Sequence, residues 1–351
     1  MGDRLNTLVG LKRRWTAFTT ILFVCAFAPS VHANHVHMHG GPFIGVVLSV
    51  IVDSADTKNV YCASYGGGVF RSENGGATWA AINQGLPDRQ VYTLLMHPTD
   101  SGHIYVGTDQ GVFHSLDRGS SWRSLTPVLA ERNIRSVAFD PKEPNRLYVA
   151  TDQGVYVGQG VHWKNPSEGL ESRDVRTVVA SPEGKVYAGT FNGVFTTEKG
   201  AGPWVPASGG LTHRQVRALV FDPSSPDTLY AGTASGGVFK TTDAGNRWKA
   251  FNRGLSNKMV LSVAVVPSRP STLYAGTIGG VFKSLNGGAN WIAAGADVSL
   301  TVTTLALDPD GLDLIYAGSG GRLYKSINAG TKWTEVGHQI NHFGPVGPAV
   351  H

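Results

Sequence analysis

The sequence predicts an all-β fold built from seven copies of one four-stranded unit, and two observations support this. A figure of Ser or Thr, Asp or Asn, Gly and Trp recurs, and the Trp residues from Trp79 to Trp333 stand 43, 41, 41, 44, 43 and 42 positions apart. A strand-like stretch, typified by Tyr-Ala-Gly-Thr, recurs in step with it. A fixed period of this length indicates one supersecondary unit used repeatedly. The composition, with 45 Gly among 351 residues and 16% charged residues, is that of a Gly-rich globular β protein.

The recurring figure has a local chemical reason, seen in Ser115–Trp122 (S-L-D-R-G-S-S-W). Asp117 can accept hydrogen bonds from backbone N–H groups just ahead of it, and Gly119 can adopt a positive φ. Trp122 opens the next strand with a large apolar face and an N–H donor. The figure therefore predicts a structural turn; calcium binding is disfavoured because four of the five intact copies lack a second carboxylate nearby. The other intact copies begin at Ser72, Thr241, Ser284 and Ser326, and eroded copies keep Trp163 and Trp204.

Each copy reads as four short strands. In the second copy these are residues 91–96, 103–108 and 111–115, with a fourth from Trp122, separated by Pro, Gly and Asp turns. Such a sheet has two apolar faces, which copies arranged around an axis cover for one another. The expected fold is a single seven-bladed β-propeller over residues 46–338, with contiguous blades and no exchanged strand. The third strands keep an aromatic residue in register, expected to fill the gaps between sheets: Phe70, Phe113, Tyr156, Phe195, Phe239, Phe282 and Tyr324.

These motifs resemble a known group. The Ser-x-Asp-x-Gly-x-x-Trp turn resembles the Asp-box, or bacterial neuraminidase repeat. The Leu-Tyr-Ala-Gly-Thr and Gly-Val-Phe-Lys-Ser stretches are similar to those of photosystem II assembly-factor-like, sortilin-like and YVTN-type repeat propellers. The resemblance covers nearly all of the chain after its first 33 residues and implies the propeller fold. It leaves function open, since sialidases, xyloglucan-degrading glycosidases, sorting receptors and assembly factors all carry such repeats.

Residues 1–33 predict a cleavable signal peptide. A basic start, an apolar run over residues 15–28 and the small-x-small triplet ending at Ala33 are typical of a secretory leader. The apolar run is too short to span a membrane. Cleavage would remove a net charge of +3 from +5 and leave +2, so nucleic-acid binding loses its main support. It would also remove Cys25 and leave Cys62 alone on a predicted strand, expected to be a buried apolar residue. We therefore expect a periplasmic or secreted protein that is not an integral membrane protein.

Residues 34–45 form a His-rich segment. His35, His37 and His39 alternate, so an extended backbone would direct all three imidazoles to one side. That spacing is workable for a transition metal, but the segment is terminal and has no obvious carboxylate or Cys partner. These residues are a weak candidate metal site, and no cofactor is expected. The segment could alternatively supply a closing strand, and residues 339–351 read as a flexible tail.

The loops that join one copy to the next carry the candidate binding residues. Five of six interblade loops place a cation two residues before the next first strand, and three first strands add an Arg just inside. We expect these eight side chains to form a basic crown around the channel mouth, suited to carboxylates, phosphates or an acidic protein segment. The alternative is that Asp and Glu residues on the same face pair with them. The crown consists of Arg89, Arg132, Arg135, Arg173, Arg176, Arg214, Arg217 and Lys258.

Catalysis is the rival hypothesis. A glycosidase needs two carboxylates about 5–10 Å apart, and Asp109 and Asp152 are the pair the sequence nominates, as equivalent residues of adjacent blades. Both lie in Thr-Asp-Gln-Gly, which is equally a turn sequence. The sialidase residue set is absent, and every interblade loop is short. The sequence therefore favours a monomeric, non-catalytic platform for a protein partner such as an acidic segment of an envelope complex, with a carbohydrate-active glycoside hydrolase as the alternative.

Overall fold

The computed structural model describes residues 45–295, 301–308 and 313–336, all within the unit Pro42–His351. These residues form seven four-stranded antiparallel sheets, each from four consecutive strands. The predicted all-β, seven-bladed β-propeller with contiguous blades is therefore confirmed. The predicted signal peptide, the tail 339–351 and residues 34–44 of the His-rich segment lie outside the described residues. No described residue belongs to a helix long and apolar enough to cross a bilayer.

The first strand of each blade contacts the first strands of both neighbouring blades, so these strands form the inner ring. They are β1 (Val46–Val52), β5 (Val91–His97), β9 (Ile134–Phe139), β13 (Val175–Ala180), β17 (Val216–Asp222), β21 (Val260–Val265) and β25 (Val302–Leu307). The second strands are β2 (Val60–Tyr65), β6 (Asp100–Thr108), β10 (Leu147–Thr151), β14 (Lys185–Thr190), β18 (Ser225–Thr233), β22 (Leu273–Thr277) and β26 (Ile315–Ser319).

Each third strand forms an antiparallel hairpin with the second strand of its blade. They are β3 (Gly68–Ser72), β7 (Gly111–Ser115), β11 (Gly154–Gln159), β15 (Gly193–Glu198), β19 (Gly237–Thr241), β23 (Gly280–Ser284) and β27 (Arg322–Ser326). The outer edges are β4 (Ala80–Ala81), β8 (Arg123–Ser124), β12 (His162–Lys164), β16 (Val205–Pro206), β20 (Lys249–Ala250), β24 (Ile292–Ala293) and β28 (Thr334–Glu335). One turn of 3-10 helix, Pro127–Leu129, interrupts the loop after β8.

The outer strands are the shortest of each blade, with two or three residues. A fourth strand is expected from Trp122, but β8 starts one residue later and holds two residues. The backbone N–H of Trp122 instead donates to the carbonyl of Gln84, 2.8 Å away in the loop that leaves the preceding blade. Very short edge strands leave few unpaired backbone groups for another chain to bind.

The core lies between neighbouring sheets. All seven aromatic residues of the third strands are buried, as predicted. Phe195 of one blade, for example, packs in one cluster with Tyr148 and Val155 of the blade before it. Cys62 is fully buried, and burial raises the pKa of its thiol to about 12, which makes it an inert apolar side chain.

The Asp-box turns have the predicted geometry. Ser115 Oγ donates to Asp117 Oδ1 at 2.6 Å and accepts from the N–H of Gly119 at 2.7 Å. Asp117 Oδ1 also accepts from the N–H of Ser121 at 2.9 Å, and hydrogen bonds from Ser115 and Ser121 lower the pKa of Asp117 to about 2. Gly119 has a φ of +86°, as predicted. Arg118 before it has a φ of +59°, and the sequence does not predict a positive φ at this Arg. These side-chain hydrogen bonds of Ser115 and Asp117 join residues at most four positions apart, which supports the structural interpretation.

The Trp of each intact Asp-box forms a hydrogen bond that joins its blade to the blade before it. The indole N–H of Trp248 donates to the carbonyl of Ala207 at 2.7 Å. The eroded Trp204 keeps an equivalent bond to Pro166, whereas Trp163 donates to Gly160 within its own turn. The remaining ties are Trp79 to Val336, Trp122 to Ile82, Trp291 to Phe251 and Trp333 to Ala294.

The ring closes through contacts of the same kind, without a strand exchanged between the described blades. Tyr316 Oη and Lys325 Nζ of the last blade donate to the carbonyl of Gly75 in the first, at 3.0 and 2.8 Å. The backbone N–H of Val47 donates to the carbonyl of Gly320 at 2.7 Å. Side-chain ties and first-strand packing therefore join the two ends of the chain.

Candidate functional site

The two ends of the propeller differ in which loops they carry. At one end, the N–H groups of Gly66 and Gly68, beside the turn from strand two to strand three, donate to the carbonyl of Arg89 in an interblade loop. At the other end, the N–H of Gly75 in an Asp-box turn donates to Lys58, between strands one and two. We call the first end the loop face and the second the Asp-box face. The loop face carries every cation of the predicted crown.

A β-bulge interrupts each first strand near the loop face. In six of the seven first strands the bulged residue follows the first paired residue, and in β1 it follows the second; none of the seven has a partner in the ladder. A bulge bends its strand and re-aims the side chain that it displaces. In three consecutive blades that side chain is an Arg. Around the ring the bulged residues are Leu48, Tyr92, Arg135, Arg176, Arg217, Leu261 and Thr303.

Arg135, Arg176 and Arg217 form what we call the arginine cluster. Arg176 is only 8% exposed and forms an ion pair with Asp174 at 2.7 Å. Burial lowers the pKa of Arg176 to about 10; Asp174 opposes this shift, while the positive charges of Arg135 and Arg217 add to it. Arg135 and Arg217 therefore both lie within electrostatic range of Arg176, which is itself ion-paired with Asp174.

Two aromatic rings support the arginine cluster. The guanidinium carbon of Arg176 lies 4.6 Å from the centroid of the Phe191 ring, and that of Arg217 lies 5.4 Å from the same centroid. Arg135 lies over Tyr92 at 5.4 Å. Cation–π stacking of this kind fixes the plane of a guanidinium group. The cluster is thus held in place by the protein before any ligand arrives.

The two carboxylates of the predicted pair, Asp109 and Asp152, have different polar neighbours. Burial and the neighbouring carboxylate of Asp88 raise the pKa of Asp109, whose polar neighbour is therefore Asp88. Asp152 accepts a hydrogen bond from the Asn133 side chain at 3.0 Å. Asp88 and Asp109 belong to the same blade, since Asp88 lies in the loop before its first strand. Comparison of equivalent positions of adjacent blades cannot identify a contact between two different positions of one blade.

Buried polar atoms without a protein hydrogen-bond partner concentrate at this place. Among the described residues they include five atoms on the loop-face ends of blades two to four. Since most buried polar atoms in proteins are hydrogen-bonded, these atoms can bind water or a polar ligand. The five atoms are Tyr92 Oη, Asp109 Oδ1, Arg135 Nε, Asp152 Oδ1 and Asp174 Oδ1.

The other five cations of the predicted crown lie outside the arginine cluster. Arg132 Nε donates to Tyr156 Oη at 3.3 Å, and Arg89, Arg173, Arg214 and Lys258 are exposed on the interblade loops. Arg132, Arg173, Arg214 and Lys258 form no ion pair with any described residue. The crown is therefore divided into an inner, half-buried cluster of three and an exposed rim.

The candidate metal ligands His35, His37 and His39 lie outside the described residues. Within residues 45–295, 301–308 and 313–336, no three His, Cys, Asp or Glu side chains are arranged to hold a metal ion.

Comparisons with known proteins support the resemblance to sortilin-like and assembly-factor-like propellers. Residues 67–179, from the first blade to the start of the fourth, match the family model described as sortilin, neurotensin receptor 3. The chain is similar to YCF48 from Cyanidioschyzon merolae, with 18% identity, a TM-score of 0.63 and coverage of 82% of this chain and 97% of that one. A structure described as YCF48 bound to D1 peptide gives 17% identity and a TM-score of 0.60, covering 82% and 95%.

A GH74 xyloglucanase from Xanthomonas campestris is also similar, with 19% identity and a TM-score of 0.69, covering 85% of this chain. The chain spans only 55% of the length of that enzyme. No curated protein matches the chain in sequence. At these identities the likenesses establish the fold, which both a peptide-binding protein and a glycoside hydrolase share.

Proposed function

We propose that the chain is an exported, non-catalytic propeller that binds a protein partner through its loop face, where the arginine cluster receives carboxylate groups of that partner. The observation that carries this is the cluster itself: three neighbouring guanidinium groups stacked on Tyr92 and Phe191, of which Arg176 is paired with Asp174. Arg binds carboxylates through two parallel hydrogen bonds, and groups fixed in advance lose little entropy on binding. An acidic peptide segment is the chemistry that fits best.

Two further considerations support this function. YCF48, a propeller of similar architecture, has a structure described as bound to D1 peptide, so this fold can hold a peptide. The leader predicted over residues 1–33 would place the chain in the periplasm or outside the cell, where an envelope complex would be its partner. The remaining cations of the crown would then add long-range attraction for an acidic partner.

Removal of two positive charges from the arginine cluster tests the proposal. The chain from residue 34 is immobilised, proteins of the native envelope extract that it retains are identified, and affinity for the retained partner is measured. We expect Arg135→Gln with Arg217→Gln to weaken binding about tenfold or more, since a hydrogen bond to a charged group contributes about 1.5–3 kcal/mol.

A matched control removes two positive charges from the opposite end. Arg247→Gln with Lys332→Gln changes two exposed side chains on Asp-box turns, where each residue donates its backbone N–H to the Asp or Asn of the turn. This variant should bind the partner like the wild type. Equal affinity of all three proteins would reject the arginine cluster as the docking site.

A glycoside hydrolase is the second candidate, favoured by one observation. Asp88 and Asp109 lie together at the channel mouth, and the raised pKa of Asp109 is the property of a general acid. We expect no hydrolysis when the wild-type chain is assayed with a panel of xyloglucan and other β-glycans. Hydrolysis by the wild type that is lost in both Asp88→Asn and Asp109→Asn would replace the binding proposal with an enzymatic one.

A further inference from the structure

A cavity of about 390 Å³ lies on the loop face of the fourth blade, apart from the arginine cluster. The interblade loops on either side of that blade form two of its walls, and the two-residue turn Phe191–Asn192 forms a third. Phe191 packs against Arg176 and Arg217 of the cluster, whereas Asn192 lines the cavity. The turn thus separates two neighbouring sites.

The floor of this cavity is apolar. Phe195 is 1% exposed and Leu211 is 3% exposed, and both line it. Ser208, the polar residue beside them, donates its hydroxyl to the carbonyl of Val194 and accepts from the N–H of the same residue, both at 2.8 Å. The floor can therefore contact only the apolar part of a ligand. Any charged group of the ligand must bind to side chains of the walls.

The walls carry opposite charges that do not pair with each other. Glu171 belongs to the loop that enters the fourth blade and Arg214 to the loop that leaves it, and both line the cavity and are exposed. Neither side chain forms an ion pair with any described residue. Two unpaired, opposite charges on facing walls leave room for a ligand that carries both charges.

We propose that this cavity binds a free α-amino acid with an apolar side chain. The carboxylate lies on Arg214, the ammonium group lies beside Glu171 and the side chain packs on Phe195 and Leu211. The volume supports a ligand of this size, because small-molecule sites span about 300–1,000 Å³ and this one lies near the lower limit. The inference goes beyond partner docking and does not depend on it, since the arginine cluster takes no part.

Three compounds of one shape separate the contributions of the two charges. L-leucine carries both groups, 4-methylpentanoate lacks the ammonium and 3-methylbutylamine lacks the carboxylate. Titration followed by NMR should show that the wild type binds leucine about tenfold more tightly than either analogue, as expected for one lost ionic hydrogen bond. Glu171→Gln should lower leucine affinity to that of 4-methylpentanoate, and Arg214→Gln should lower it to that of 3-methylbutylamine.

Two control variants distinguish the amino-acid site from the binding site for the protein partner. Arg253→Gln removes an exposed positive charge from the next interblade loop, at a residue that does not line the cavity, and should leave leucine affinity unchanged. Arg135→Gln with Arg217→Gln should weaken the partner but not leucine. The amino-acid site is rejected if leucine does not bind, if all three compounds bind alike, or if Arg253→Gln weakens leucine as much as Arg214→Gln does.

Discussion

Trp248→Ala should destabilise the propeller by about 3–5 kcal/mol, which is the usual cost of removing a buried aromatic side chain. Trp248 is 2% exposed and packs against Leu211, Phe239 and other residues that span two blades. Its indole N–H donates to Ala207 of the preceding blade, so the substitution removes both apolar packing and an interblade tie. Guanidinium unfolding of the purified chain, followed by circular dichroism, measures the loss.

Trp163 provides the matched control for this result. It occupies the equivalent position in an eroded Asp-box, is partly exposed and donates only to Gly160 of its own turn. Trp163→Ala should therefore cost about 1 kcal/mol, within the range of ordinary substitutions. Trp248→Phe, which keeps most of the packing but loses the N–H, should fall between the two alanine variants. Equal losses for Trp248→Ala and Trp163→Ala would show that the interblade tie contributes little.

Arg176→Met should destabilise the chain by about 2–4 kcal/mol. Removal of one partner of a buried ion pair leaves the other charge uncompensated, and that penalty is about 3–5 kcal/mol for fully buried pairs. The Asp174 side chain is 30% exposed, which moves the expectation toward smaller values. Equilibrium unfolding measures this loss, and affinity for the protein partner is measured on the same sample.

The double variant Arg176→Met with Asp174→Asn separates stability from binding. Loss of both charges should restore most of the unfolding free energy, since no unpaired carboxylate remains. Partner affinity should stay as low as in Arg176→Met alone, because the guanidinium group is still missing. Recovery of both properties in the double variant would mean that Arg176 serves only the fold.

The architecture could be predicted from the sequence because each blade repeats one local signal. The Asp-box bonds of Ser115, Asp117 and Gly119 connect residues at most four positions apart, so residue types alone reveal them. The residue at which each outer strand begins could not be predicted in this way. Trp122 leaves its own sheet because its N–H finds Gln84 of the preceding blade, and no local pattern encodes that contact.

The candidate site was only partly predictable, for the same reason. Arg135, Arg176 and Arg217 could be assigned to the crown from their positions in the repeat. Their orientation, however, depends on a β-bulge at each of them, and an Arg residue does not by itself indicate a bulge. Phe191 and Tyr92 belong to other loops and strands than the Arg residues on which they stack. Sequence spacing does not reveal these ring contacts. Asp88 beside Asp109 is likewise a contact between a loop and a turn.

Hydrogen–deuterium exchange with and without the bound partner tests the central claim most directly, because it reports which end of the propeller the partner covers. Docking on the loop face predicts slower exchange in the turns at residues 109–110, 152–153 and 191–192, and unchanged exchange in the Asp-box turns at residues 74–78 and 243–247. Slower exchange confined to the Asp-box turns would contradict the account.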